Sequence, residues 1–208
     1  MAKIARSLRR FISRRFANSH DPLGEYPTSR FRGARRVRVN LAPYLRRFAK
    51  KGFEKKASNL PFKVYCDSGR GYRTAFRKEI YHDTDYSFVL VKRSLNPLLL
   101  GRGRALACVG FDLMPLGPNE TRVSIRQIQG VKGREGGLKP VKWERMLVAL
   151  VLDWAKAHRF KAVEIQPGEE NGWCTLSKQK QFHMRYDVTA KRLGFVRNER
   201  GQYECVLA

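Results

Sequence analysis

"PVKWERMLVALVLDWAKAHRFKAVEIQPG", residues 140–168, is the stretch from which the architecture can be read. Trp143, Met146, Leu147, Leu150, Val151 and Trp154 recur at helical spacing, so one face of a helix is continuously apolar and has to be buried. Pro140 suits the start of that helix, where a missing N–H breaks no hydrogen bond, and His158 and Arg159 suit the negative end of its dipole. "KAVEIQPG", 161–168, follows as a buried strand that stops at Pro167. Upstream, "TRVSIRQIQG", 121–130, alternates Val123, Ile125, Gln127 and Gln129 with Arg122, Ser124 and Arg126, the period of a strand. Strand, helix and strand in that order predict a right-handed parallel crossover with the helix lying on the sheet.

Working outward, "FKVYC" (62–66), "YSFVLVKR" (86–93) and "RALACVGFDLMPL" (104–116) read as strands rich in branched and aromatic residues. "GYRTAFRKEIYHD" (71–83) reads as a short helix or irregular link, and "GPNE" (117–120) as a turn. The last three strands before the central helix therefore form an antiparallel meander. Beyond residue 168 a polar loop, "EENGWCTLSKQKQFH", leads into "YDVTAKRLGF" (186–195), the end of a helix, a glycine stop and the start of a strand. "FVRNERGQYECVLA" closes the chain as a hairpin turning near Arg200 and Gly201. The expected class is mixed α/β (α+β), a mostly antiparallel sheet with one central helix, over residues 57–208.

The 208 residues carry 43 Lys and Arg against 18 Asp and Glu, a formal charge of +25. That excess exceeds what solubility requires and points to a polyanionic partner, RNA ahead of DNA. It is uneven: residues 1–80 hold 22 basic and 5 acidic side chains, residues 81–208 hold 21 and 13. Residues 1–56 are accordingly expected to be a basic nucleic-acid-binding arm. Its first part, "MAKIARSLRRFISRRFANSH", sets Ile4, Leu8, Phe11, Ile12 and Phe16 against Arg6, Arg9, Arg10, Arg14 and Arg15, a cationic amphipathic helix. That pattern fits a nucleic-acid arm, a membrane-surface helix or a cleavable organelle-targeting segment. "PTSRFRGARRVRVN" then places Arg30, Arg32, Arg35, Arg36 and Arg38 on chain suited to following a phosphate backbone. "LAPYLRRFAKKGFEKKASNLPF" adds a short basic helix with Arg46 and Arg47. The cytoplasm is the expected location, or an organelle matrix if residues 1–20 are a targeting segment.

No apolar run approaches the roughly 20 residues that cross a bilayer. Cys66, Cys108, Cys174 and Cys205 stand singly, and His20, His82, His158 and His183 show no ligand spacing with them, so no metal site is expected.

The element order, with "AKRLGF" as its strongest local cue, resembles the GNAT-type N-acyltransferase superfamily over about residues 62–208. The resemblance implies that acyl-CoA, acetyl-CoA for example, lies in a gap where two central strands splay, with its pyrophosphate on backbone amides at the start of the central helix. It also implies an amine substrate entering from the other side. Two departures accompany it. The glycines that bare those amides are absent from Lys139 to Trp143. The nearest glycine-rich stretch is "GVKGREGGLK", 130–139, so an enlarged phosphate loop would use Gln127, Gly130, Lys132, Gly133, Arg134, Gly136, Gly137, Lys139 and Lys142. The family's catalytic Tyr aligns with Ala190, its preceding Ala with Tyr186 and its Asn with His183. Tyr186 is then the remaining acid on that helix. Asn171 is an alternative for the family Asn, which would leave residues 172–181 as a lid or binding loop. Glu164, Asp112 and the His82, Asp83 and Asp85 cluster are the candidate general bases. Two functions follow: an acyl-CoA-dependent N-acyltransferase acting on or near a nucleic-acid-bound substrate, or a non-catalytic RNA-binding protein on the same fold, for instance within a ribonucleoprotein particle.

Overall fold

The computed structural model describes residues 35–36, 39–68, 76, 78–92, 103–116 and 120–207. The expected amphipathic helix of residues 1–20 and Arg30, Arg32 and Arg38 lie outside the described residues. Eight strands form one sheet in the order β1-β2-β3-β4-β5-β6-β8-β7. They are β1 (Arg35–Arg36), β2 (Phe62–Ser68), β3 (Tyr86–Lys92), β4 (Arg104–Pro115), β5 (Thr121–Gly130), β6 (Ala162–Ile165), β7 (Val196–Arg197) and β8 (Tyr203–Val206). Neighbours run antiparallel from β1 to β5. β5 and β6 are parallel, and β8 lies between β6 and β7, antiparallel to both. The helices are α1 (Ala42–Arg47), α2 (Glu54–Ser58), α3 (Glu135–Leu138), α4 (Trp143–Ala157), α5 (Gln179–Arg185) and α6 (Asp187–Arg192).

Helix α4 makes the crossover that its periodicity predicts. Trp143, Met146, Leu147, Leu150, Val151 and Trp154 are all buried, and Trp154 meets the rings of Phe88, Phe111 and Phe160 at centroid distances of 5.8, 5.4 and 5.2 Å. Burying these rings supplies most of what holds helix to sheet, because apolar area removed from water is the dominant favourable term. The helix starts at Trp143, three residues after Pro140. Pro140 is therefore not in its first turn, and its carbonyl accepts the Lys50 N–H at 2.9 Å instead.

That bond belongs to a larger correction. The sequence assigns residues 41–56 to the basic arm, yet the structure seats them on the body. Leu41, Leu45, Phe48 and Ala57 are buried in the main core, and Tyr44 Oη donates to Asp153 of α4 at 2.7 Å. Ala49 bridges Val141, and the Lys142 N–H donates to Phe48 O at 2.8 Å. Charge dominates the composition of this segment, but the sparse apolar positions decide its packing. Its basic residues, Arg46, Arg47, Lys50, Lys51, Lys55 and Lys56, stay exposed.

The helix expected before "LGF" is two helices meeting at Tyr186, whose φ of −98° and ψ of −66° break the regular path. Gly194 ends α6 with φ +83°, the left-handed conformation in which a side chain costs energy and glycine does not. The final hairpin turns at Gly201 as expected. No helix among the described residues is long and apolar enough to cross a membrane.

Candidate functional site: the gap between β5 and β6

β5 runs ten residues, but β6 pairs with only its first half, Arg122–Ile125 against Ala162–Ile165. On the β4 side, Gly110 faces Gln127 and Phe111 faces Ile125, so Arg126 is an extra residue in β5, a β-bulge. A bulge turns the strand and frees backbone groups from the ladder. From Arg126 onward β5 diverges from β6, and a wedge opens.

The wedge is filled by the chain itself. Tyr186, 2% exposed, sends its hydroxyl to the freed backbone: it accepts the Ile128 N–H at 2.9 Å and donates to Arg126 O at 3.2 Å. Asn171 Nδ2 donates to the same hydroxyl at 3.0 Å and to Arg126 O at 3.1 Å. Gln166 Nε2 supplies a further donor to Arg126 O at 2.8 Å. The Phe182 ring stacks on Tyr186 at 5.8 Å. Gly168 permits this closeness, since a Cβ there would lie 2.7 Å from the Phe182 carbonyl carbon. Burial pushes the Tyr186 phenol well above its ordinary value, and its proton is already directed at a carbonyl, so the group is set as a structural hydroxyl.

This arrangement does not fit an acyl-CoA chain in the wedge. The resemblance lays such a chain along β5, where Tyr186 and Asn171 already hold the Ile128 N–H and Arg126 C=O. The start of α4 is partly engaged. The Lys142 N–H is bonded to Phe48 O, Pro140 has no N–H, and Glu144 places a carboxyl in the first turn. A carboxylate there opposes a pyrophosphate at the positive end of the helix.

At the mouth of the wedge lies a pocket of about 350 Å³. Gln127, Gly130 and Lys132 of the expected cofactor set line it. Gly133, Arg134, Gly136, Gly137, Lys139 and Lys142 do not. Arg134 is bonded to Glu79 at 2.5 Å and to Ala105 O at 2.6 Å, and Leu138 and Val141 anchor the loop in the core. The glycine-rich segment is thus a packed connection, tied down by residues that composition alone makes look like a loose basic loop.

Of the candidate bases, Glu164 does not line the pocket. Its Oε2 takes the largely buried Arg122 and the exposed Arg200, both at 2.8 Å. Asp112 accepts the Asp85 N–H at 2.8 Å, and His82 Nδ1 lies 2.9 Å from Ser87 Oγ in the interior. Only Asp83 reaches the pocket, where it accepts Trp173 Nε1–H at 3.1 Å.

Trp173, Tyr81, Gln129, Lys178 and Arg185 complete the working part of the lining; Trp173 and Lys178 fall in the 172–181 segment expected as a lid or binding loop, whereas Tyr81, Gln129 and Arg185 are not among the expected site residues. The available signal was a tryptophan in an otherwise polar loop. Among the described residues no group of three or more His, Cys, Asp or Glu is placed to hold a metal ion.

No protein-family model matches the chain, and no curated protein matches it. Among solved structures, the KacTA–DNA complex is similar at 16% identity over 58% of this chain and 67% of that one, with a TM-score of 0.32. AtaTR bound with AcCoA is similar at 10% identity over 83% and 91%, with a TM-score of 0.33. An N-acetyltransferase from Staphylococcus aureus Mu50 is similar at 6% identity over 84% and 95%, with a TM-score of 0.32. Antiparallel meander, central helix, parallel crossover, splayed wedge and closing hairpin are the element order on which the GNAT-type resemblance of the sequence rests, with a tyrosine in the wedge.

Proposed function

We propose that the protein is a nucleic-acid-binding protein, with RNA as its partner, that uses the GNAT-type fold as a scaffold. The observation that carries this reading is the Tyr186 hydroxyl seated between Ile128 N–H and Arg126 C=O, which closes the place where an acyl donor would lie. The +25 charge supplies the partner's chemistry: Lys and Arg that neutralise phosphates release condensed counterions, and affinity then falls steeply with salt. Arg46 and Arg47, exposed on α1, belong to that surface. The arginines from Arg9 to Arg38 supply the rest. A particle of RNA and protein is one setting in which such a surface is used.

A second reading has its own observation. The pocket opens beside Gln127, Ile128, Gln129 and Gly130, so a Tyr186 that swung out would join it to the wedge and admit an acyl-CoA for transfer to an amine on a bound nucleic acid. Titrating the full-length protein separately with RNA and with acetyl-CoA distinguishes the two. The first reading expects salt-dependent RNA binding and no saturable binding of acetyl-CoA. Saturable acetyl-CoA binding by the wild type, with acetyl transfer, would replace it with the second.

A further inference from the structure

Trp173 is a large apolar ring left 58% exposed, and it is nonetheless held in place. Its Nε1 donates to Asp83 at 3.1 Å, its backbone N–H donates to Asn171 Oδ1 at 3.0 Å, and its ring meets Tyr81 edge-on at 6.0 Å. A fixed, exposed indole at the rim of a pocket is a platform on which a flat ring can stack with little further loss of side-chain freedom. The floor beside it is made of carboxamides. Gln127 is fully used, donating to Tyr81 O and Gln129 Oε1 and accepting the Asp83 N–H. The bond to Gln129 Oε1 orients the Gln129 amide, a lining group whose Nε2 carries two donors. Lys132, Lys178 and Arg185 stand around the same opening. Asp83 accepts from Trp173 and Glu135 accepts the Gly133 N–H at 3.2 Å, and the three cations outnumber these two carboxylates, so the lining is net positive.

We infer that this pocket receives an unstacked nucleobase, which lies against Trp173 and takes hydrogen bonds from Gln129, while its adjoining phosphate is held by Lys132, Lys178 and Arg185. The inference deepens the nucleic-acid reading and rests on it. The wedge behind the pocket is closed by Tyr186, so the cavity is short and suits a base rather than the long arm of an acyl carrier. Single-stranded binding by stacking on aromatics within a basic groove is tolerant of sequence, because every base has a π face.

The test uses the full-length protein, three single strands of equal length (oligouridylate, oligodeoxyuridylate and an abasic oligomer) and the Trp173→Ala variant. Wild type is expected to prefer a base-bearing strand over the abasic one by about 5- to 150-fold, the range one stacked base provides. Trp173→Ala should remove that preference and leave abasic binding unchanged. A preference shown by only one of the two base-bearing strands also supports the pocket and identifies the sugar that is read. Equal wild-type affinity for base-bearing and abasic strands, or a preference that survives in Trp173→Ala, overturns the pocket assignment while leaving polyanion binding in place. Failure of all three strands to bind overturns the nucleic-acid reading itself.

Discussion

Replacing Tyr186 with phenylalanine removes one oxygen from the wedge and isolates what that oxygen does. The hydroxyl has three partners: Ile128 N–H, Asn171 Nδ2 and Arg126 O. Two of them keep other bonds, because Asn171 Nδ2 still reaches Arg126 O at 3.1 Å and Arg126 O still receives Gln166 Nε2 at 2.8 Å. The Ile128 N–H points into the wedge and loses its partner. One buried, unsatisfied donor costs about 1–3 kcal/mol, so the loss should be that of one group and not the sum of three bonds. For a chain of this size the same loss lowers the Tm by about 2–12 °C. The ring should remain stacked on Phe182, so the fold is retained. Urea unfolding gives the stability change, with an unchanged slope against denaturant, and hydrogen exchange at the Ile128 amide locates it. A variant within about 0.5 kcal/mol of wild type whose Ile128 amide stays protected would refute the bonding scheme and, with it, the closed wedge.

Tyr186→Ala should cost more, about 3–5 kcal/mol, by leaving a cavity in the wedge; if it alone gains saturable acetyl-CoA binding by calorimetry, the ring is the obstruction. Deleting residues 1–34, which leaves β1 in place, should lower the salt slope of RNA binding by about one for every phosphate that is no longer neutralised. Deleting 1–56 should also lower the midpoint, because Leu41, Leu45 and Phe48 leave the core; equal midpoints for the two deletions would show that the segment does not pack. Glu164→Ala leaves the buried Arg122 without its carboxylate and should cost about 3–5 kcal/mol in urea unfolding. Burial lowers the His82 imidazole from 6.5 to about 4, so between those values the unfolded chain binds more protons than the folded one. Stability should therefore fall as pH drops from 6.5 to 4, by up to about 3 kcal/mol, and His82→Gln should flatten that part of the profile; an unchanged slope in the variant would rule out His82 as its source.

The sequence by itself determined the elements and their order. A helix with Trp143, Leu147, Leu150 and Trp154 on one face can only be stable with that face covered, and a strand on either side of it leaves one hand of crossover. Gly194 before Phe195 stops a helix wherever it stands. These are local constraints, written in the spacing of apolar residues and in what a glycine backbone permits, so they hold before any tertiary contact is known. The site was decided elsewhere. Whether Tyr186 is an acid or a plug depends on Arg126 being bulged out of β5 and on Asn171 arriving from another loop, contacts between residues 15 to 60 positions apart. Whether "LAPYLRRF" is an arm or part of the body depends on Pro140 and Asp153 being within reach of Lys50 and Tyr44. Glycines 130 to 137 read as a loose phosphate loop until Glu79 and the core claim Arg134, Leu138 and Val141. In each case composition described the surface of a segment, while its role was set by a partner distant in sequence, and long-range proximity is the quantity that periodicity does not encode.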